Sequence, residues 1–129
     1  NERKMLEATV QQIRQAGINT MLVKEIENQA GAQKSAIAQL LQVAVANNEL
    51  VEISSAYFIH SDVLQEIKQQ LQNQLDPQKS YTMSEIRSIL DTTRKYAVPL
   101  CEYFDRIGFT IRINDQRQLC SEQPLSPES

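Results

Sequence analysis

The sequence predicts a mostly α-helical chain with small β hairpins, an α+β arrangement of two tandem winged-helix units, each a helix-turn-helix followed by a β wing. Three observations predict it. Apolar residues recur at helical spacing in short segments, each closed by glycine, asparagine or proline. Two later segments pair short apolar, strand-like runs around a polar turn. The same order, three helices and then a hairpin, occurs twice within 129 residues. Each copy is then about 60 residues, close to the lower limit for a core that folds alone.

The elements follow in order. Leu6, Val10 and Ile13 form the first helical stripe, and Gly17 stops it. Val23, Ile26 and Ala30 mark a second short helix, closed by Gly31. Ser35 is the expected cap of a third helix, whose stripe is Ile37, Leu40, Leu41 and Ala44 and whose end is Asn47-Asn48. Leu50 to Ile53 and Ala56 to Ile59 read as two strands around Ser54-Ser55. The second copy starts with Ser61 or Asp62 as cap, carries Val63, Leu64, Ile67, Leu71 and Leu75, and breaks at Asp76-Pro77. Ser84 is the expected cap of the next helix, with Ile86, Ile89 and Leu90. With that cap, Glu85 stands too early for a capping box. Thr92 or Thr93 starts the last helix, which ends at Gly108. Phe109, Ile111 and Ile113 then alternate, Asn114-Asp115 turn, and Gln116 to Leu119 return. The expected domains are 1–60, 61–120, and a disordered tail over 121–129 rich in proline, serine and glutamate.

Composition excludes several classes. No GxxxxGK[ST] or GxGxxG occurs, so the chain carries no phosphate loop of its own. No apolar run reaches the ~18 residues of a membrane span, and the charged start does not read as a signal peptide, so a cytoplasmic location without membrane contact is expected. The charged start without Met suggests a piece of a longer protein. Cys101, Cys120 and His60 cannot make a four-ligand zinc site without carboxylates. Both cysteines read as free thiols and His60 as a surface residue at a strand end. No acid, base and nucleophile converge, so no catalytic residue, metal or cofactor is expected.

Charge distribution says more than the net −3. The stretch from Arg87 to Arg117 carries Arg87, Arg94, Lys95, Arg106, Arg112 and Arg117 against four acids and nets +2. Residues advance about 100° each on a helix. From Thr93 to Gly108, Ala97, Leu100, Cys101 and Phe104 therefore face inward, while Lys95, Pro99, Glu102 and Arg106 face outward. The first turn is basic and the middle carries Glu102 and Asp105. Laid in a duplex groove, those acids would meet phosphates. Approached end-on, the helix offers unpaired N–H groups, a partial positive charge, Arg94 and Lys95. Such a tip suits a loop or an extruded base. Pro99 removes the donor to the Lys95 carbonyl and should loosen the first turn. Each residue also has a plainer reading: Arg94 and Lys95 as a solvated face, Tyr96 and Tyr103 as half-buried packing, Arg112 and Arg117 as exposed strand residues. The corresponding helix of the first copy exposes Ser35, Gln39, Gln42 and Ala46 with only Lys34 near its tip, which reads as a neutral spacer or packing module.

The run Thr92-Thr93-Arg94-Lys95-Tyr96-Ala97-Val98-Pro99-Leu100-Cys101-Glu102-Tyr103-Phe104-Asp105-Arg106-Ile107-Gly108-Phe109-Thr110, followed by Arg112, Asp115 and Arg117, resembles the last winged-helix domain of the bacterial selenocysteine-specific elongation factors. Met83 to Leu90 resembles that domain's second helix, Leu50 to His60 the preceding domain's wing, and Asp62-Val63-Leu64 the helix after it. The resemblance departs at Thr93 (usually Ser), Cys101 (usually Leu), Ile111-Arg112 (usually two arginines) and Asn114 (usually Gly). It implies that the 61–120 unit binds an mRNA stem-loop, the selenocysteine insertion (SECIS) element. That contact tethers a GTPase, bound to GTP and selenocysteyl-tRNA through domains outside this chain, to the ribosome beside a UGA codon. It places RNA contact on Thr93, Arg94, Lys95 and Tyr96, with Arg87, Arg112 and Arg117 on phosphates. A monomer is expected. The alternatives are a DNA-binding winged-helix transcription regulator and a protein-interaction scaffold. The outward Glu102 and Asp105 count against the first.

Overall fold

The computed structural model describes residues 2–120, so the expectation of a disordered tail over 121–129 lies outside the described residues. The chain divides into two compact units, Asn1–Glu66 and Ile67–Ser129. The division falls six residues later than the expected break after His60, within a helix.

The first unit contains α1 (Glu2–Ala16), α2 (Val23–Ala30), a 3-10 turn (Gly31–Gln33), α3 (Lys34–Ala46), β1 (Leu50–Ser54) and β2 (Tyr57–His60). Its core joins Val10 and Ile13 of α1, Ile26 of α2, Ile37, Leu41 and Ala44 of α3, and Leu50 and Phe58 of the hairpin. The stops are those the sequence marks. Gly17, Gly31 and Asn48 all take positive φ (67°, 56° and 63°), the backbone state that glycine and asparagine adopt most readily. The cap of α3 differs from expectation. The 3-10 turn feeds directly into the helix, so Gln33 holds the cap position and Ser35 lies in the first turn. At α2, the Leu22 N–H donates to Glu25 Oε1 at 2.9 Å, so a carboxylate satisfies a backbone donor at the helix start.

His60 is not a surface residue. It is 8% exposed, and its Nδ1 accepts the Asp62 N–H at 3.1 Å. That bond caps α4 (Ser61–Gln74), replacing the caps expected from Ser61 or Asp62. The Ser61 hydroxyl instead donates to the Glu49 carbonyl at 3.2 Å. A ring at the end of an all-buried strand is a nearer acceptor for the helix start than either hydroxyl or carboxylate facing water.

The second unit continues with β3 (Ser80–Thr82), α5 (Met83–Leu90), α6 (Arg94–Arg106), β4 (Thr110–Ile113) and β5 (Gln116–Leu119). Its sheet is antiparallel in the order β3-β5-β4, with Tyr81 opposite Arg117 and Arg112 opposite Arg117. The strand β3 is absent from the sequence reading. It moves the α5 cap to Thr82, whose Oγ1 accepts the Glu85 N–H at 3.1 Å while Glu85 Oε1 accepts the Thr82 N–H at 2.8 Å. Glu85 therefore completes a capping box after all, three residues beyond the true cap. Leu71, Leu75, Ile86, Leu90, Ala97, Leu100, Phe104, Phe109 and Leu119 are buried, and the Phe104 and Phe109 rings meet at 4.8 Å between centroids. The fold is thus mostly helical with small antiparallel sheets.

Candidate nucleic-acid interface

The tip of α6 is built by a tight turn. Asp91 ends α5 in the left-handed conformation (φ 55°), and Thr92 N–H returns to the Arg87 carbonyl at 3.1 Å. Thr93 then takes the extended cap position of α6 (φ −112°, ψ 169°), and its carbonyl accepts from the Tyr96 and Ala97 N–H groups. Its side chain makes no capping bond, so no hydroxyl occupies the first-turn donors. The helix begins at Arg94, as the cap preference of Thr93 indicates, and runs through Pro99. Inward residues are those expected: Ala97, Leu100, Cys101 and Phe104 are 0–4% exposed.

Arg94, Val98 and Glu102 share one face of α6 and, with Met83, Arg112, Asp115 and Arg117, line a groove of about 250 Å³. The structure therefore brings Arg94 of the helix tip to the wing arginines, as the end-on reading requires. Arg112 is held in place at the groove's rim. Its Nε donates to the Asn114 carbonyl at 3.0 Å, its guanidinium lies 3.7 Å from Asp115, and 58% of its side chain stays exposed. The turn that holds it needs positive φ at Asn114 (56°), which asparagine tolerates. Thr93, Arg94 and Lys95 are all exposed, with Lys95 Nζ 5.1 Å from the Tyr96 ring centroid.

Two expected contacts are not at the surface. Tyr96 is 8% exposed, so its ring packs in the core and offers no open face for stacking a base. Arg117 is 4% exposed and pairs with Asp105, Nε to Oδ2 at 3.0 Å. The N–H is not directed along that contact, so the interaction is an ion pair without an aligned hydrogen bond. Asp105 also accepts from the Thr110 hydroxyl at 2.6 Å. Its carboxylate, 24% exposed, thus clamps α6 to both β4 and β5 and is not on the outward face where helical spacing put it. The signal for Arg117 lay in strand parity: it alternates with Gln118 and shares the inward face with Leu119. Arg87 is half-buried and lines a separate depression with Ser84, Ser88, Asp91 and Thr92. Ser84, Ser88, Asp91, Met83, Val98 and Thr110 are the site neighbours that sequence reasoning gave no role there, and Asp105 is one it placed on the wrong face.

Burial of Cys101 pushes its thiol up to about 11, with Arg117 opposing and Asp105 and Glu102 reinforcing the rise. Neither cysteine is in a disulfide. Burial also raises the Tyr103 phenol, partly offset by Arg106. Among the described residues no group of three or more His, Cys, Asp or Glu could hold a metal, and no helix is long and apolar enough to cross a membrane.

A short helix, a turn, a second helix with a basic uncapped tip, and a two-stranded wing returning beside it define a winged-helix protein. The family model described as elongation factor SelB, winged helix, matches residues 73–119. Residues 73–119 thus match a SelB winged-helix domain, and the chain as a whole is similar to the C-terminal winged-helix region of such factors. A selenocysteine-specific elongation factor from Desulfomicrobium baculatum is 25% identical over 105 residues, 81% of this chain but only 17% of that protein. The chain thus spans about a sixth of the curated relative it matches. In fold it is similar to the mRNA-binding domain of elongation factor SelB from E. coli, solved in complex with SECIS RNA. That match has a TM-score of 0.76, 22% identity, and covers 94% of this chain and 98% of that one. It is also similar to a bacterial selenocysteine-specific elongation factor EF-Sec (TM-score 0.56, 20% identity, 75% of this chain and 18% of that one).

Proposed function

We propose that this chain binds a SECIS-type mRNA hairpin end-on, through Thr93, Arg94 and Lys95 at the start of α6 and Arg112 on the wing. The observation that carries the reading is the convergence of Arg94 and Arg112 on one groove beside a helix start with no side-chain cap. Open N–H groups, the positive end of the helix dipole and two guanidinium groups match a phosphate turning through a loop. Glu102 and Asp115 on the same groove would oppose a duplex backbone laid along the helix. The likeness in fold to a SECIS-bound domain supports the same reading. In it, both units are winged helices in tandem. The first, whose α3 exposes Lys34, Ser35, Gln39, Gln42 and Ala46, is a spacer. The second is the RNA-binding unit. Tyr96 and Arg117 shape that site from beneath.

In the parent factor this contact would hold a cytoplasmic GTPase and its selenocysteyl-tRNA at a UGA codon on the ribosome, with no catalysis or cofactor in this region and the chain acting as a monomer. The test is titration of the chain with a selenoprotein mRNA hairpin and a loop-scrambled control at two salt concentrations. Tight, salt-weakened binding to the intact loop alone is expected. Equal weak binding to both would refute the reading and leave a duplex-DNA or protein partner.

A further inference from the structure

The start of α4 is held by an atom whose bonding changes with one proton. His60 is 8% exposed, and its Nδ1 accepts the Asp62 N–H at 3.1 Å. A backbone N–H can only donate, so this bond needs Nδ1 without a proton and puts the hydrogen of the neutral ring on Nε2. An imidazolium carries a hydrogen on both nitrogens and has no acceptor left. In that form Nδ1–H would face a second donor across 3.1 Å, and the cap would be lost.

A replacement partner already stands beside the ring. Oδ2 of Asp62 lies 3.9 Å from the same Nδ1 and 3.4 Å from the Arg14 guanidinium of α1. The Asp62 side chain is 60% exposed and has room to turn from one to the other. The remaining charged groups around the ring are Arg3 and Glu7 of α1, 3.8 Å apart, and Glu49 just before β1. These three, with Arg14 and His60, line a groove of about 420 Å³, which gives a proton a route to a ring that is otherwise covered. With Asp62, two arginines stand against three acids, so an added imidazolium charge is balanced rather than repelled.

We propose that His60, Asp62 and Arg14 form a proton-operated latch in the first unit. With the ring neutral, the Asp62 N–H is bonded to His60 and the Asp62 carboxylate to Arg14. With the ring charged, Nδ1–H donates to the Asp62 carboxylate, the Asp62 N–H loses its acceptor, and Arg14 gives up its hold on α4. Imidazole is the side chain that ordinarily changes charge between about pH 5 and 8. The first turn of α4 is therefore capped at pH 8 and uncapped at pH 5.

The experiment follows the full ¹⁵N-labelled chain by NMR between those two values, beside His60→Asn and Asp62→Asn. Asparagine offers Oδ1 to the same N–H and does not titrate. In the parent at pH 8 the ring nitrogens should report a hydrogen on Nε2 alone. The Asp62 amide should exchange with water as it does in His60→Asn at pH 8, and about fivefold faster than in His60→Asn at pH 5. The Arg14 Nε–H signal should move with the ring's titration in the parent and lose that dependence in Asp62→Asn. A hydrogen on Nδ1 at pH 8, or no change of ring charge by pH 5, would overturn the latch, and both are read in the parent without any variant having to fold. Equal Asp62 exchange in parent and His60→Asn at pH 5 would overturn it too. An Arg14 signal indifferent to the titration would overturn the exchange of partners. None of these readouts involves RNA, so the outcome is independent of the hairpin reading.

Discussion

Replacing Asp105 with asparagine tests the clamp beneath the groove. Asp105→Asn keeps the side chain's shape and an oxygen for the Thr110 hydroxyl while removing the charge that faces Arg117. Arg117 then remains 4% exposed with no counter-charge in the clamp. Removing one partner of a buried ion pair costs about 3–5 kcal/mol. Asp105 is itself 24% exposed, so water reaches its side of the pair, and about 2–3 kcal/mol is expected. Urea unfolding of the chain, followed by tyrosine signal, reads mainly the second unit, which holds three of the four tyrosines. With a slope of about 1 kcal/mol per molar for so small a unit, the midpoint of that transition should fall by about 2–3 M. Adding Arg117→Met, which removes the stranded cation, should recover most of the loss. A midpoint unchanged in Asp105→Asn, or a double variant less stable than the sum of the two single ones, would refute the clamp.

Three further outcomes are expected. Arg94→Ala should weaken hairpin binding by about 1–3 kcal/mol whereas Glu102→Ala should not weaken it, and equal losses in the titration would contradict end-on docking. Thr82→Ala, which opens the α5 capping box, should lower stability by about 1 kcal/mol in urea, with a loss of a few tenths pointing to a cap that water replaces. The Cys101 thiol, held up to about 11 in the fold against an ordinary value of 9.0, binds its proton more tightly folded than unfolded. Its contribution to stability is complete below pH 9 and declines as pH rises towards 11, and alkylation at pH 8 should spare Cys101 in the native chain and reach it in urea.

What could be read from the sequence depended on how local its cause was. The stops at Gly17, Gly31 and Asn48 and the turn at Asn114 are legible because positive φ is a property of one residue. The inward stripe of α6 is legible because periodicity needs only the helix itself. His60, Asp105 and Arg117 were misplaced because polar side chains default to water, and only distant partners overrule that. Arg117 and Asp105 meet through strand return, and His60 is buried by packing around its strand. The strand β3 was illegible for the same reason. Three residues carry no alternation worth counting, and their partners in β5 lie 36 residues or so downstream, as the Ser80–Gln116 side-chain bond at 2.6 Å shows. Missing β3 also shifted the α5 cap by two residues and hid the capping box.

The middle strand of the second sheet is the last one made. In the first unit, β1 meets β2 across a tight turn, with Leu50 opposite His60 and the rest closer, so that hairpin can close as soon as its own residues leave the ribosomal tunnel. In the second, β3 and α5 emerge early, but β3 has no neighbour until Gln116 to Leu119 have been synthesised. The groove, its clamp and the wing must therefore come together in one late event, after every residue named at the site has been translated. A truncation or stalled ribosome that withholds β5 would leave β3 without its strand partner and Asp105 without Arg117, whereas the first unit's hairpin would already be paired.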